Sequence, residues 1–172
     1  SVLCRLSSAF SLLGLSEARP FRRAALGLVG HLMFYPLTFL AALATMLLWQ
    51  RMGLPIHPQE VLVQAVGMSP AAFGVLLVGA CVVAPVTEEV LFRGFLYATL
   101  RRYLGPVGAL GWSALAFALL HSHAMGFASL FLIGFLLGYL YERTGSLVAS
   151  MAAHGANNLA SLLVAWLTFH PA

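Results

Sequence analysis

The chain has 172 residues, of which 61% are apolar and only 8% are charged. A water-soluble domain of this size does not need so large an apolar fraction, so the composition favours a membrane protein. The net charge of +4 comes from arginines at the ends of apolar segments, which is typical of a topology signal and not of the basic face of a nucleic-acid binder. Two cysteines are too few for a disulfide framework.

The first 23 residues are predicted to form a segment separate from the apolar part of the chain. Residues 1–18 carry apolar side chains at roughly helical spacing, which fits an interfacial amphipathic helix or the end of a truncated upstream span. Arg19, Arg22 and Arg23 follow, and such a cluster marks the cytoplasmic end of the first span. We therefore assign residues 1–23 to an N-terminal segment and residues 24–172 to one membrane-embedded domain, with its core motifs within 70–169.

The remaining chain divides into five apolar segments, at about 24–49, 70–102, 107–122, 127–141 and 147–169. Pro70 suits a helix start, and Gly105-Pro106 is typical of a turn. Pro85 predicts a kink that frees a backbone carbonyl about one turn before Glu88. We predict an all-α fold, a polytopic membrane helix bundle of about five spanning helices, and an N-terminal interfacial helix is one of the two alternatives for residues 1–18.

The polar stretch TEEVLFRG, residues 87–94, interrupts the second apolar segment. Ionisable side chains at membrane depth are costly to place, so their presence is a functional-site hypothesis. On a helix, Glu89 and Arg93 are four residues apart and can form an ion pair, whereas Glu88 points about 100° away. The spacing predicts one carboxylate held by its arginine and one carboxylate available for chemistry.

Polar residues of two other segments are predicted to lie at the depth of this stretch. At a rise of about 1.5 Å per residue, Glu88 and His121 lie about 20 and 22 Å from the cytoplasmic ends of their segments. His154 and Asn158 share one helix face and lie about 13–20 Å from theirs. The agreement indicates a common buried site. Asn157 points about 100° away from Asn158 and is expected to pack or cap.

These motifs, in this order, resemble the CPBP family, which contains the type II CAAX prenyl endopeptidases and the bacterial Abi-type membrane proteases. The family motif EExxxR is matched at residues 88–93, FxxxH at 117–121, and a histidine followed one turn later by asparagine at 154–158. The resemblance implies an intramembrane endopeptidase that uses a glutamate-activated water and no cofactor.

The resemblance also implies a role for each matched residue. Glu88 is the general base that activates the water, with help from His121. His154 and Asn158 donate hydrogen bonds to the oxyanion of the tetrahedral intermediate. Three supporting residues are implied to hold the helix or to shape the wall of the site: Glu89, Arg93 and Phe117.

The residues alone leave other functions open. Carboxylates and histidines bind zinc, so a zinc-dependent intramembrane metalloprotease could use four ligands: Glu88, Glu89, His121 and His154. The sequence has no HExxH motif, which does not favour this alternative. A non-enzymatic transporter could use the same side chains as a proton relay, but the chain shows no inverted repeat. A non-catalytic scaffold is the third alternative.

The expected partners are membrane lipid and a protein or peptide substrate that is lipidated or carries a C-terminal sorting signal. No nucleic-acid partner is expected. The apolar segments predict an integral, multi-pass membrane protein. Similarity to the bacterial members of the family implies the bacterial inner (plasma) membrane.

Overall fold

The structure of the protein, a computed structural model, describes residues 19–56 and 59–169. This part is 88% helical and contains no strand, which confirms the predicted all-α fold. Its helices are α1 (Pro20–Arg51), α2 (Glu60–Val66), α3 (Pro70–Val78), α4 (Ala84–Glu89), α5 (Ala98–Leu120), α6 (Phe127–Thr144) and α7 (Leu147–Phe169). Two π-helical segments, π1 (Gly79–Val83) and π2 (Val90–Tyr97), flank α4. The predicted helix within residues 1–18 lies outside the described residues, and the domain division at residue 24 stays a prediction.

Three stretches of the described chain are long and apolar enough to cross a membrane: Pro20–Arg51, Pro70–Leu120 and Leu147–Leu167. The middle stretch has 51 residues, far more than the roughly 20 that one crossing needs. It divides at Gly105, whose φ of 67° and ψ of 178° are not helical, and Pro106 follows. Only glycine adopts this backbone conformation readily. The predicted turn is therefore present, and the described part holds five long helical segments.

Helix α1 lies at the edge of the bundle. It begins at Pro20, where a proline has no N–H to leave unpaired, and it starts four residues before the predicted span. Phe21, Leu32 and Met33 are among its many exposed apolar side chains. Its buried positions are few and include Gly27. A helix with this distribution presents most of its surface to lipid and a narrow stripe to its neighbours.

Helix α7 lies at the centre of the bundle and contacts α1, α2, α4, α6 and π1. Small residues allow two of these contacts to be backbone to backbone. A Cβ on Gly27 of α1 would overlap the carbonyl oxygen of Ala149, and a Cβ on Gly155 would lie 2.5 Å from the carbonyl oxygen of Cys81 in π1. Membrane helices associate through such close packing, because lipid supplies no hydrophobic drive between them. The orientation of α7 is thus fixed against π1.

Helices α5 and α6 pack together through a second set of glycines. A Cβ on Gly134 would lie 3.1 Å from the Phe117 side chain, and one on Gly138 would lie 2.9 Å from Leu110. Both glycines therefore allow close packing of the two helices. The main apolar cluster forms around this contact, with Phe92, Phe117, Ile133, Leu136, Leu137, Leu140 and Ala153.

Candidate functional site

The two adjacent glutamates lie at the end of α4, between π1 and π2. π-helical turns are rare and occur often at functional sites. The Glu89 side chain is 0% exposed, whereas the Glu88 side chain is 30% exposed. Neighbouring carboxylates therefore have different surroundings, as their different helix faces predicted.

Glu89 forms a buried ion pair with Arg93. The Nη1 atom of Arg93 donates to Oε1 of Glu89 at 2.9 Å, and Nη2 donates to the carbonyl oxygen of Gly134 at 2.9 Å. The guanidinium also lies over the ring of Phe117, with 4.9 Å between Cζ and the ring centroid. A buried charge is costly unless it is paired and hydrogen-bonded. These three contacts pair the charge and join π2 to α6 and α5, while Nε of Arg93 and Oε2 of Glu89 have no hydrogen-bond partner among the described residues.

His154 connects this ion pair to Glu88. Its Nδ1 atom lies 2.9 Å from Oε1 of Glu89, and its Nε2 atom lies 3.8 Å from Oε2 of Glu88. A carboxylate accepts hydrogen bonds, so the Nδ1 atom carries the hydrogen and donates it to Glu89. The side chain is only 3% exposed and is therefore fixed in this orientation. Glu89 thus positions the imidazole of His154 with its Nε2 atom facing Glu88.

His121 presents the same ring atom to Glu88 from the end of α5. Its Nδ1 atom lies 2.7 Å from the carbonyl oxygen of Phe117, so Nδ1 again carries the hydrogen. Its Nε2 atom lies 3.8 Å from Oε2 of Glu88. Ser122, the next residue, ends the helix with a φ of 49°, which is uncommon for a residue other than glycine. The chain therefore turns away directly after the imidazole.

One carboxylate oxygen and two imidazole Nε2 atoms converge in this way on a single point. Oε2 of Glu88 is buried and has no hydrogen-bond partner among the described residues. Both separations of 3.8 Å exceed a direct hydrogen bond, and polar groups at this spacing are commonly bridged by water. The arrangement places a carboxylate that can accept a proton beside two ring nitrogens that can orient a water.

Asn158 attaches α7 to the segment before the glutamates. Its Nδ2 atom donates to the carbonyl oxygen of Ala80 at 2.9 Å. In π1 the N–H of Ala84 bonds to Gly79, so the next donor in register for Ala80 is residue 85. Pro85 has no N–H, and the Ala80 carbonyl is left for a side chain. A carbonyl is left free by Pro85, as predicted, but the π-helical register places it at Ala80, about two turns before Glu88 and not one. Asn158 is its partner.

A cavity of about 460 Å³ adjoins the two histidines and Asn158, and Glu88 is not part of its lining. Its wall includes His121, His154 and Asn158. Asn157 also lines it, although the sequence predicts that this residue packs or caps. Helices α1, α6 and α7 supply most of the remaining lining. The cavity is large enough for several residues of a peptide chain.

The structure places all the predicted site residues in one region, with Asn158 on the cavity wall. Three contacts have no counterpart in the sequence analysis: Glu89 with His154, Arg93 with the Gly134 carbonyl, and Asn158 with the Ala80 carbonyl. Only the last had a signal in the sequence, namely Pro85. His123 lies beside the site, where its Nδ1 atom accepts the N–H of Gly126 before α6.

Of the four ligands that a zinc site would use, Glu89 already has other partners. Oε1 of Glu89 is bound to both Arg93 and His154, which leaves Glu88, His121 and His154 facing each other. Within residues 19–56 and 59–169, no group of three or more His, Cys, Asp or Glu side chains is arranged to hold a metal ion. The Nδ1 hydrogen bonds of both histidines nevertheless resemble those of metal ligands.

Residues 70–160 match the family described as type II CAAX prenyl endopeptidase Rce1-like. The match covers 91 of the 172 residues and contains all three motifs. The chain belongs to this family. No curated protein and no solved structure matches it significantly. Rce1-like membership confirms the resemblance to CAAX proteases and makes the chain a peptide hydrolase of the CAAX-protease type and a membrane protein.

Proposed function

We propose that the chain is a glutamate-dependent intramembrane endopeptidase in which Glu88 activates the attacking water. The observation that carries this proposal is the position of Oε2 of Glu88, 3.8 Å from Nε2 of both His121 and His154. With Nδ1 of His121 donating to a carbonyl, the Nε2 atom of the neutral ring is an acceptor. It can therefore orient a water whose other hydrogen points at Glu88.

The proposed reaction uses these groups in two steps. The water oxygen bonds to the carbonyl carbon of the scissile peptide, and its proton moves to Glu88. The C–N bond then breaks as Glu88 passes that proton to the leaving amine, which gives a new carboxyl end and a new amino end. Glu89 takes no proton in this scheme, because its side chain is 0% exposed and Arg93 and His154 hold it as their shared partner.

His154 and Asn158 are proposed to stabilise the oxyanion. An amide nitrogen has two hydrogens, so Asn158 can donate one to Ala80 and the other to the oxyanion. His154 donates from Nε2 when its ring carries both hydrogens, and Glu89 holds the Nδ1 side in place. Preorganised donors of this kind are typically worth about 3 kcal/mol each in the transition state.

The proposed setting is the bacterial inner membrane, with lipid around a multi-pass chain. The arginines at residues 19–23 and 101–102 support a cytoplasmic location for those ends. The proposed substrate is a membrane-associated protein or peptide that is lipidated or carries a C-terminal sorting signal, without nucleic acid as a partner and without a cofactor. A zinc-dependent protease is the second candidate, favoured by the two Nε2 atoms that face one carboxylate.

The experiment compares membranes that carry wild-type protein with membranes that carry Glu88→Gln. Quantitative mass spectrometry should find at least one uncleaved protein or peptide that accumulates in the variant and whose fragments disappear. Thr87→Ala is the matched control, because the Thr87 hydroxyl bonds only to carbonyls of its own helix, those of Val83 and Ala84. Identical cleavage patterns in wild type and Glu88→Gln would refute the proposal.

A further inference from the structure

Asn157 presents to the cavity a side-chain amide whose hydrogen-bonding groups are mostly without partners among the described residues. Its Nδ2 atom makes one long contact of 3.5 Å, to Oδ1 of Asn158. Among the described residues, its Oδ1 atom and its second Nδ2 hydrogen have no hydrogen-bond partner. The side chain is half-buried and lines the cavity together with His121 and His154.

Three hydroxyl groups of the cavity wall differ from Asn157 in this respect. The hydroxyls of Thr38, Ser129 and Ser161 each donate to a carbonyl of the chain three or four residues earlier, those of Tyr35, Gly126 and Asn157. Such internal bonds use the one hydrogen that each hydroxyl has. Asn157 is thus a wall residue that keeps both a donor and an acceptor for a ligand. Tyr35 and Gln59 also line the cavity without a side-chain hydrogen-bond partner among the described residues, but Asn157 is the one next to the proposed oxyanion donor Asn158 along α7.

The amide of Asn157 lies beside the amide of Asn158. Asn158 is held by the Ala80 carbonyl at 2.9 Å, and its Oδ1 atom accepts one long hydrogen bond of 3.5 Å from Nδ2 of Asn157. A hydrogen bond of this length is weak, so the Asn157 amide can exchange it for a bond to a ligand.

We infer that Asn157 binds the main chain of the substrate next to the scissile bond. A primary amide with a free donor and a free acceptor matches the C=O and N–H of an extended peptide, as in strand-like recognition. The described cavity wall has neither a carboxylate nor a lysine or arginine side chain that could pair with a charged ligand, so the ligand class is an uncharged segment of peptide. This inference rests on the proposed function and adds a substrate-binding residue to it.

The test measures binding without hydrolysis. Purified full-length Glu88→Gln protein in lipid nanodiscs is incubated with a library of end-capped ten-residue peptides made only of uncharged residues, and mass spectrometry measures how much peptide is retained. Adding Asn157→Ala should reduce retention about 10-fold to 30-fold, the effect of losing two hydrogen bonds of ordinary strength. Asn157→Leu, of similar volume, should give the same loss and covers the case in which the alanine variant folds poorly.

Two controls make the result specific. Ser161→Ala in the Glu88→Gln protein should retain as much peptide as Glu88→Gln alone, because its hydroxyl is bonded within α7. Peptides with N-methylated main-chain amides should bind the Asn157-containing protein about tenfold less than unmethylated peptides. Undiminished retention by both Asn157 variants, or no retention by Glu88→Gln itself, overturns the inference. Because no cleavage is involved, failure of the proposed hydrolysis would leave this result intact and would be seen separately.

Discussion

The two glutamates divide the site into a locked side and an open side. On the locked side, Glu89 is 0% exposed and its Oε1 atom receives hydrogen bonds from Arg93 and His154. On the open side, Glu88 is 30% exposed and its nearest ring nitrogens lie 3.8 Å away. Adjacent residues of one type therefore differ through their surroundings alone. A rigid ion pair positions an imidazole, and the neighbouring carboxylate stays available for a proton.

The largest effect is expected for a variant that removes the ion pair of Glu89 with Arg93 on the locked side. Glu89→Ala leaves the Arg93 charge buried without its partner, and we expect a loss of about 3–5 kcal/mol in the free energy of unfolding. Glu88→Gln removes no hydrogen bond of the described residues, so its loss should stay below about 1 kcal/mol. Denaturant titration in mixed micelles measures both values. Equal losses for the two variants would contradict the division into two sides.

The second prediction concerns the oxyanion group on the open side. Asn158→Ala should lower kcat and kcat/KM together by about 10²–10³, because the lost donor acts in the transition state. Asn158→Asp should be at least as harmful, since a carboxylate repels the developing negative charge. Kinetics on a cleaved peptide in reconstituted membranes measures these constants, with Ser161→Ala as the control. A change in KM alone would remove Asn158 from the oxyanion role.

A smaller loss of activity and stability is expected when the backbone turn beside His121 on the open side is strained. Ser122 has a φ of 49° directly after His121, and a β-branched residue is strained in that region. Ser122→Val should therefore reduce the free energy of unfolding by about 1–2 kcal/mol and slow hydrolysis by moving His121. Ser122→Gly adopts this conformation freely and is the matched control, with stability within about 1 kcal/mol of wild type. If valine has no effect, the turn does not position His121.

The last prediction is that removal of metal ions leaves the activity unchanged. If the open side holds water and not zinc, activity should persist through prolonged treatment with phenanthroline, and purified protein should contain no stoichiometric zinc. Elemental analysis and the same peptide assay measure both. One zinc per chain, with activity lost on chelation and restored by zinc alone, would establish the metalloprotease with Glu88, His121 and His154 as ligands.

Local rules were enough to determine part of this molecule from the sequence. The ion pair of Glu89 with Arg93, the turn at Gly105-Pro106 and the carbonyl freed by Pro85 each depend on residues at most five positions apart. The apolar segments and the order of the motifs can also be read directly from the sequence, and they were enough to indicate the family. Such features follow from helix geometry and proline chemistry, whatever the neighbouring helices do.

Only the tertiary structure decided how the polar groups face each other. A helical wheel assumes a constant rotation per residue, and the π-helical segments π1 and π2 change that rotation on both sides of α4. The rotation of α7 about its axis is set by the approach of Gly155 to Cys81, so Asn157 lines the cavity although its offset from Asn158 predicts packing or capping. That approach aims His154 at Glu89, Asn158 at Ala80 and Asn157 at the cavity, because contacts between distant segments depend on which backbones can touch.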